Sequence, residues 1–426
     1  MKIRIILLVT MPMLSSINIA SGNQSNCIQT YEKINFQTSS KSICLTEQQY
    51  LFNSDNDDVS ITGRMASLKI PDGIKARLCT ASSDDSHVCQ TYFKSVPKLS
   101  DTYKNQLLNL QISRFDKNDF YMVVSADPQY PWTCKDDLMN CDDEVRAKID
   151  NESRVKSLNK LAIDLKGKLV GSIINGDLTA FGHDWQFDKY NQYYEQELNI
   201  NNYPGLGNHD YSNNVEDCAL NNCATRMASY LINKVKSFSY SSFDLVESDV
   251  YYDFPSLRKK YQGSLSYSWD IGNIHFVQMN YKPFYEINWN SWNFPQARRD
   301  YYVIKPSLEW LEKDLQQAKQ DGKKIILNLH YFSYFFLENT SIINILKKNK
   351  IPAIFSGHSH VVNGISSRES NIYGRGKNLT LFKSAAAKYH KYLLVHYQGE
   401  VMTVQGVKND DDGQYTLYDI GTFSLN

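Results

Sequence analysis

The spacing of apolar and polar residues divides the chain into two regions. Ahead of residue 116, short apolar runs such as 67–70 and 76–79 alternate with turn residues, which is typical of a small β module. From Asp119 onward, apolar strand-like runs alternate with longer amphipathic stretches, which predicts an α/β architecture with much antiparallel content. We therefore expect a small all-β domain at 23–115 and an α/β (α+β) domain at 116–426.

The second region shows a regular succession of predicted elements. Strands are predicted at 120–126, 169–174, 265–270, 274–279, 324–329 and 351–355, and further strands within 379–406. Helices are predicted at 143–166, 183–198, 222–236 and 307–320. The segment at 271–273 is short and contains glycine, so it predicts a hairpin turn between its two flanking strands.

The first 22 residues have the layout of a secretory signal peptide. Lys2 and Arg4 precede a mostly apolar run at 5–13, and small residues follow up to Gly22. The apolar run is too short to anchor the chain in a bilayer. We expect cleavage after Ala20 or Gly22, export to a periplasmic or extracellular compartment, and no transmembrane anchor in the mature protein. A buried N-terminal strand is the alternative.

The cysteines agree with export. The chain has eight, all within its first 223 residues, and an even number in an exported chain favours disulfides. The sequence leaves their connectivity open. The pairing carried forward joins neighbours in sequence, namely Cys27–Cys44, Cys79–Cys89, Cys134–Cys141 and Cys218–Cys223. A structural zinc site is the alternative, but no Cys-x-x-Cys pair is present.

The charge balance of the chain argues against a nucleic-acid partner. Lys plus Arg and Asp plus Glu both number 46, so the formal net charge is zero. No basic stripe marks a surface for a polyanion, and we do not expect binding to nucleic acid.

Five short polar segments each follow an apolar strand-like run. In α/β sheets, ligands collect beyond the carboxyl ends of the strands, so these side chains are candidates for one shared site. The segments are Asp127-Pro128-Gln129, Asn175-Gly176-Asp177, Gly207-Asn208-His209-Asp210, Asn328-Leu329-His330 and Gly357-His358-Ser359-His360. Carboxylate, amide and imidazole groups in this number suffice for two adjacent divalent ions.

In their order and spacing, these segments resemble the motifs of the calcineurin-like metallophosphoesterase superfamily. The resemblance spans residues 119–406 and includes the GD, GNHD, lone-His and GHxH motifs. The first motif departs from the usual DxH, because Gln129 stands where that family has histidine. The resemblance implies a four-layer αββα sandwich and an enzyme that hydrolyses phosphate mono- or diesters.

The resemblance also implies a ligand set. Asp127, Gln129, Asp177 and His360 would hold the first ion, and Asp177, Asn208, His330 and His358 would hold the second. Asp177 would then bridge both ions. Oxygen from Gln129 is a harder donor than a ring nitrogen, so Mn²⁺, Mg²⁺ or iron is expected over zinc, with Mn²⁺ favoured.

The catalytic roles are likewise implied by the resemblance. Two ions about 3.5–4 Å apart would hold a bridging hydroxide for in-line attack on phosphorus. His209 would protonate the leaving oxygen, and Asp210 would orient His209 by accepting its other N–H. Each segment also has a simpler interpretation as a turn or a helix cap.

Three aromatic residues and one further histidine lie close to these motifs in sequence. Tyr130, Trp132 and Trp185 are candidates for the wall of a substrate cleft, with core packing as the alternative. His183 is expected on the surface at a helix start rather than against the substrate.

The N-terminal region has its own resemblance. The stretch 65–73 is similar to the strand-turn signature of βγ-crystallin-like domains, and an unrelated β-sandwich is the alternative. A secreted binding protein or toxin, in which this module binds a partner and the second domain is secondary, is therefore the alternative function.

Overall fold

The computed structural model describes residues 26–38, 40–45, 65–81, 87–99, 107–133, 143–369, 372–373 and 378–425. The predicted signal peptide at 1–22 and the predicted Cys134–Cys141 pair lie outside these residues.

The N-terminal region contains two three-stranded antiparallel sheets. Its strands are β1 (Cys27–Tyr31), β2 (Ser40–Cys44), β3 (Ser67–Lys69), β4 (Ile74–Ala81), β5 (His87–Tyr92) and β6 (Leu107–Arg114). The sheet orders are β2-β1-β3 and β5-β4-β6. Both sheets contribute to one apolar cluster, which includes Ile28, Leu68, Leu78 and Leu110. The expected all-β character of this region is confirmed.

Disulfides join paired strands in this region. Cys27 and Cys44 face each other across β1 and β2, and Cys79 and Cys89 face each other across β4 and β5. Both pairs are bonded, as is Cys218–Cys223 in the second region. Three of the four expected pairings are thereby confirmed.

The second region contains eighteen strands among the described residues. They are β7 (Asp119–Ser125), β8 (Leu169–Ile174), β9 (Asn202–Pro204), β10 (Ser242–Phe243), β11 (Val246–Glu247), β12 (Tyr251–Asp253), β13 (Ser256–Gly263), β14 (Tyr267–Ile271), β15 (Ile274–Gln278), β16 (Ile287–Asn293), β17 (Arg298–Ile304), β18 (Lys324–Leu329), β19 (Ala353–Ser356), β20 (Gly364–Glu369), β21 (Leu379–Lys383), β22 (Lys391–Gln398), β23 (Val401–Asn409) and β24 (Tyr415–Ser424).

Five α-helices accompany them in the described part of the chain. They are α1 (Glu144–Asp164), α2 (Asp184–Tyr190), α3 (Asn222–Ser237), α4 (Leu308–Gln320) and α5 (Thr340–Asn349). Shorter 3₁₀ and π turns occupy Ile34–Phe36, Asn191–Glu197, Asn208–Ser212, Ala219–Asn221, Tyr334–Glu338 and Ala387–Tyr389.

Two mixed sheets form the centre of this region. One has the order β24-β23-β22-β7-β8-β9 and the other has the order β10-β14-β15-β18-β19-β21-β20. Their facing surfaces meet in one large apolar core, where the ring of Phe276 in β15 packs against Tyr397 in β22 with centroids 5.5 Å apart. A third sheet, β11-β13-β17-β16 with β12 beside β13, is not hydrogen-bonded to these two, but its Trp289, Tyr302 and Ile304 join the same apolar core.

Helices cover the outer faces of the two central sheets. Ala147, Leu158 and Leu161 of α1 join the main core together with residues of β7 and β8. Leu311 and Leu315 of α4 pack with α5 against the other sheet, because their four-residue spacing places them on one face. The helix–sheet–sheet–helix order confirms the predicted fold class, whereas the boundaries 22/23 and 115/116 stay predictions.

Among the described helices, none combines the length and the apolar character needed to cross a bilayer.

A buried histidine in β15 links the neighbouring strand β14 to helix α4, which covers the second central sheet. His275 in β15 contacts Asp270 of β14 through Nδ1 at 2.8 Å and Asp314 of α4 through Nε2 at 2.9 Å. Burial lowers the pKa of His275, but hydrogen bonds to the two carboxylates outweigh burial and raise this pKa to about 9. In the folded protein the His275 imidazole is therefore protonated and lies between the carboxylates of Asp270 and Asp314.

We predict that this cation makes stability fall at alkaline pH. Its contribution is complete below the ordinary histidine pKa of about 6.5 and is lost as pH rises through about 9. His275→Gln should lower the free energy of unfolding by about 2–3 kcal/mol at pH 6, and the difference should shrink by pH 10. Urea unfolding between pH 6 and 10 measures this, with the exposed His183→Gln as control. A difference that stays constant with pH would contradict the prediction.

Candidate metal centre

The carboxyl ends of four strands place the predicted ligands at one edge of the two central sheets. Asp127 follows β7 and Asp177 follows β8, which run parallel in the first sheet. His330 follows β18 and His358 follows β19, which run parallel in the second. Because the two sheets pack face to face, the four ends meet.

Two groups of donor atoms share Asp177. Asp127, Asp177 and His360 form one group, and Asp177, His330 and His358 form the other. Within each group the candidate ligand atoms all lie within 4.8 Å of one another. The grouping coincides with the division into a first and a second ion that the sequence implied.

The two predicted amide ligands lie at this centre as well. Gln129 donates from Nε2 to Asp177 Oδ2 at 3.0 Å, and Asn208 Oδ1 lies 3.0 Å from His330 Nε2. All seven predicted metal ligands are thus brought together by the fold.

His330 is oriented with one ring nitrogen toward the centre. Its Nδ1 lies 2.8 Å from the Asn175 carbonyl and donates to it, so Nε2 is the nitrogen that faces the other ligands. Around Nε2 stand Asn208 Oδ1 at 3.0 Å, His358 Nδ1 at 3.1 Å and Asp177 Oδ2 at 3.2 Å. One proton cannot satisfy such a set of acceptors, whereas a shared cation can.

Buried oxygens without hydrogen-bond partners point to the same chemistry. Asp127 Oδ1 and Gln129 Oε1 are buried and accept no hydrogen bond from the described residues. An unpaired buried oxygen is costly unless a cation satisfies it. The residues present therefore fit a pair of divalent ions with mixed oxygen and nitrogen donors.

Backbone strain is concentrated at the same residues. Five of the predicted ligands have positive φ, at 53° for Asp127, 39° for Gln129, 52° for Asp177, 66° for His358 and 49° for His360. This left-handed region disfavours side chains with a Cβ and is characteristic of functional sites held by their surroundings. The backbone conformation at these five residues thus sets the direction in which their side chains point.

Glycines allow the loops to approach closely. Gly176 has φ of +79°, and a Cβ there would lie 2.7 Å from the Gly207 nitrogen. At Gly207 a Cβ would lie 2.1 Å from Asp177 Oδ1, and at Gly357 it would lie 2.8 Å from Asp127 Oδ2. The glycines beside the histidine and aspartate motifs therefore leave room for the ligands themselves.

We expect Gly207→Ala to displace the Asp177 carboxylate, because its Oδ1 cannot stay 2.1 Å from a new methyl carbon. Metal content and phosphoesterase rate should both fall, the rate by roughly 100-fold, while the fold is retained. Metal analysis and kinetics on the purified variant measure this. Gly322→Ala is the control for a strained substitution remote from the centre. Its φ of +70° should lower stability, but nothing described lies within 4 Å of its new methyl group, so metal content and rate should be unchanged. Full metal content in Gly207→Ala would contradict the expectation.

His209 lies beside this centre without joining either donor group. Its backbone N–H donates to Asp177 Oδ1 at 2.9 Å, and its ring Nδ1 lies 2.8 Å from the Ala180 carbonyl. The rings of Trp132 and Phe181 contact the imidazole edge-on, with centroids 4.6 and 5.5 Å away. Nε2 is therefore the nitrogen left to exchange a proton with a substrate.

The expected role of Asp210 is wrong. Its carboxylate accepts instead from the backbone N–H groups of Leu178, Thr179 and Gly207 at 2.9–3.1 Å, and the carbonyl of Ala180 takes the place beside His209 Nδ1. Burial and the neighbouring charge of Asp177 raise the pKa of Asp210 to about 7. Asp210 thus connects the two loops rather than orienting the imidazole.

The predicted metal ligands differ in their pKa values and therefore in their charge. Burial raises the pKa of Asp127, and it would also raise that of Asp177, but the charge of His330 holds the Asp177 pKa below its usual range. Burial and the charge of His330 lower the pKa of His358 to about 4. An ionised Asp177 and a neutral His358 are the forms that bind cations.

One supporting residue was missed by the sequence analysis. Arg154 of α1 is fully buried and donates to the carbonyls of Ala126, Ala385 and Lys391 at 2.8–3.1 Å. It fixes the strand end that precedes Asp127. Arg154 lies on the buried face of α1 with Ala147 and Leu158. A buried cation needs hydrogen-bond acceptors, so this position could have indicated a structural role from the sequence.

The three aromatic candidates for the cleft wall lie in different places. Trp132 borders His209, whereas Tyr130 is buried in the core and Trp185 is 41% exposed on α2. His183 lies at the start of α2 and contacts the Asp217 carboxylate at 3.0 Å, as expected for a surface histidine. Only Trp132 of the three aromatic residues lies against the centre.

Comparisons with known proteins agree with this geometry. The family model described as calcineurin-like phosphoesterase matches residues 152–362, which include Asp177, Asn208, His330, His358 and His360. The match begins downstream of Asp127 and Gln129. No curated protein matches the chain.

Several solved structures are similar to parts of this chain. The Thermus thermophilus protein TT1561 is 10% identical and covers 71% of this chain and 100% of its own, with a TM-score of 0.33. A βγ-crystallin domain from Clostridium beijerinckii is 22% identical and covers 20% of this chain and 94% of its own, with a TM-score of 0.17. The βγ-crystallin hahellin is 17% identical and covers 21% and 92%, with a TM-score of 0.18.

The family match and the fold therefore agree: this chain carries a calcineurin-like phosphoesterase domain and is a metal-dependent phosphoric ester hydrolase.

Proposed function

We propose that the protein is exported and hydrolyses phosphate mono- or diesters at a centre of two divalent ions. Asp127, Gln129, Asp177 and His360 would hold the first ion, and Asp177, Asn208, His330 and His358 would hold the second. The observation that carries the proposal is the pair of donor groups that share Asp177, each with ligand atoms within 4.8 Å.

Bound ions would supply Lewis-acid stabilisation of the phosphoryl group and activate the attacking water. The remaining steps belong to side chains of this chain. Asp177 receives the backbone N–H of His209, which keeps the shared carboxylate beside the imidazole. His209 holds its Nδ1 proton against the Ala180 carbonyl, so its Nε2 is placed to protonate the leaving oxygen. Trp132 and Phe181 flank this ring and limit the access of water to it.

Manganese is the proposed metal. Oxygen donors from Gln129 and Asn208 join two carboxylates and three imidazoles, and Mn²⁺ accepts oxygen ligands more readily than a softer ion does. Zn²⁺, Mg²⁺ and iron are the competing ions.

The test is reconstitution of metal-stripped protein with each of these ions in turn. We expect two ions per chain and the highest turnover of p-nitrophenyl phosphate or bis(p-nitrophenyl) phosphate with Mn²⁺. Absence of turnover with every ion, across phosphomonoesters, diesters, nucleotides and sphingomyelin, would refute the proposal.

Export is proposed from the residues at 1–22 and is supported by three disulfides. Intact-mass analysis of protein from the culture medium should show a chain that begins after Ala20 or Gly22. A full-length chain retained in the cytoplasm would refute export.

The alternative of a secreted binding protein or toxin is not favoured by any contact at the centre. It would predict that a catalytically inactive full-length variant keeps the whole biological effect.

A further inference from the structure

A cavity of about 350 Å³ lies close to the metal centre on the outer side of the second central sheet. It lies where β19 and β21 end, between β20 and the loop that follows His330. Its lining combines four serines, one lysine and one tyrosine with three apolar side chains. The polar members are Ser333, Ser356, Ser366, Ser367, Lys383 and Tyr331, and the apolar members are Phe332, Ile354 and Leu381.

The cavity lies next to the centre at Tyr331 and Ser356. The Tyr331 ring packs edge-on against the ring of His358, with centroids 4.6 Å apart. Ser356 ends β19 two residues before His358 and pairs with Lys383 across β19 and β21. A molecule bound at the metal ligands therefore has this cavity as its neighbour.

Lys383 is the unusual residue in this cavity. Its side chain is half-buried, and in the described part of the chain no carboxylate forms an ion pair with it. Burial lowers the pKa of Lys383, because a desolvated ammonium is disfavoured. A bound anion would reverse this penalty, since an opposite charge nearby favours the charged form.

We propose that the Lys383 cavity binds a second anionic group of the ester substrate, a phosphate or a carboxylate remote from the scissile bond. A lysine ammonium in a cavity that serine side chains also line can provide charge-assisted and neutral hydrogen bonds to such a group. The volume of about 350 Å³ is large enough for one small anionic group. This inference rests on the proposed function and specifies its substrate class as esters that carry an additional negative charge.

The experiment uses three alkyl phosphates that differ only at the far end: propyl phosphate, 2-carboxyethyl phosphate and ethane-1,2-diol bisphosphate. Their p-nitrophenyl diesters form a parallel set for diester hydrolysis. Wild-type kcat/KM should be higher for the two anionic members, and Lys383→Met should reduce that preference by roughly 10- to 100-fold. The rate on the methyl-ended member should change less than about twofold.

Matched variants make the result specific. Lys383→Arg keeps the charge and should keep most of the preference, and Lys313→Met removes an exposed lysine paired with Glu309 and should keep all of it. The ratio of the carboxylate rate to the bisphosphate rate shows which anion the cavity prefers. An equal loss for all three esters in Lys383→Met, or an unchanged preference, would overturn the inference.

A second measurement separates this inference from the proposed function. Reductive methylation of the metal-stripped protein, mapped by mass spectrometry, reports the accessibility of each lysine. Inorganic phosphate should protect Lys383 several-fold more than Lys313. Equal labelling with and without phosphate would refute the anion site, whatever the protein hydrolyses.

Discussion

Asp177→Asn is expected to lose both ions and nearly all activity. Asp177 is the one side chain common to both donor groups, and an amide cannot supply the negative charge that two cations share. Metal content should fall from two ions per chain to below one, and kcat/KM should fall by roughly 1000-fold or more. Elemental analysis and kinetics on the same preparation measure both effects.

The control for this prediction is Asp217→Asn. Asp217 contacts the surface histidine His183 and belongs to neither donor group around Asp177, so its loss should leave both readouts unchanged. Circular dichroism and the unfolding midpoint show whether Asp177→Asn is folded. A folded Asp177→Asn protein with two ions and normal rates would end the assignment of the bridge.

His209→Ala is expected to reduce the rate without reducing metal content. The contact from residue 209 to Asp177 comes from its backbone N–H, so the alanine variant retains it. Loss of a general acid costs roughly 100- to 10,000-fold in kcat. The loss should be largest for alkyl esters and small for p-nitrophenyl esters, because nitrophenolate leaves without a proton.

This dependence on the leaving group distinguishes proton donation from a structural role. A merely structural effect would reduce alkyl and nitrophenyl turnover equally. His183→Ala is the matched control, since His183 is half-exposed and its ring nitrogen contacts Asp217 at the surface. Equal losses on both ester types in His209→Ala would refute its role as the acid.

Local sequence patterns were sufficient for the elements that carry the ligands. The strand-like runs before Asp127, Asp177, His330 and His358 are each buried strands, and the helix predicted at 143–166 is α1. Runs of this kind report burial from neighbours in sequence, so they can be recognised without tertiary information. The third sheet was not predicted, because β16 and β17 mix exposed and buried residues and their partner β13 is distant in sequence.

The partner of His209 illustrates what a motif leaves undetermined. Asp210 is adjacent in sequence and chemically suited to orient an imidazole, yet Ala180 takes that position through its backbone carbonyl. A carbonyl has no signature in the sequence, because every residue has one. Only the path of the loop after β8 determines which backbone carbonyl lies beside His209 Nδ1.

The sequence by itself predicted the seven candidate ligands and their order, the two-region organisation and, among several possible connectivities, the three disulfide pairs that the structure contains. The tertiary structure alone showed that these side chains lie within reach of one another, that five of them adopt left-handed backbone conformations, and that Lys383 lines a cavity together with Tyr331. The reason is separation along the chain: Asp127 and His360 are far apart in sequence, and only the parallel strands and the face-to-face packing of two sheets bring them together.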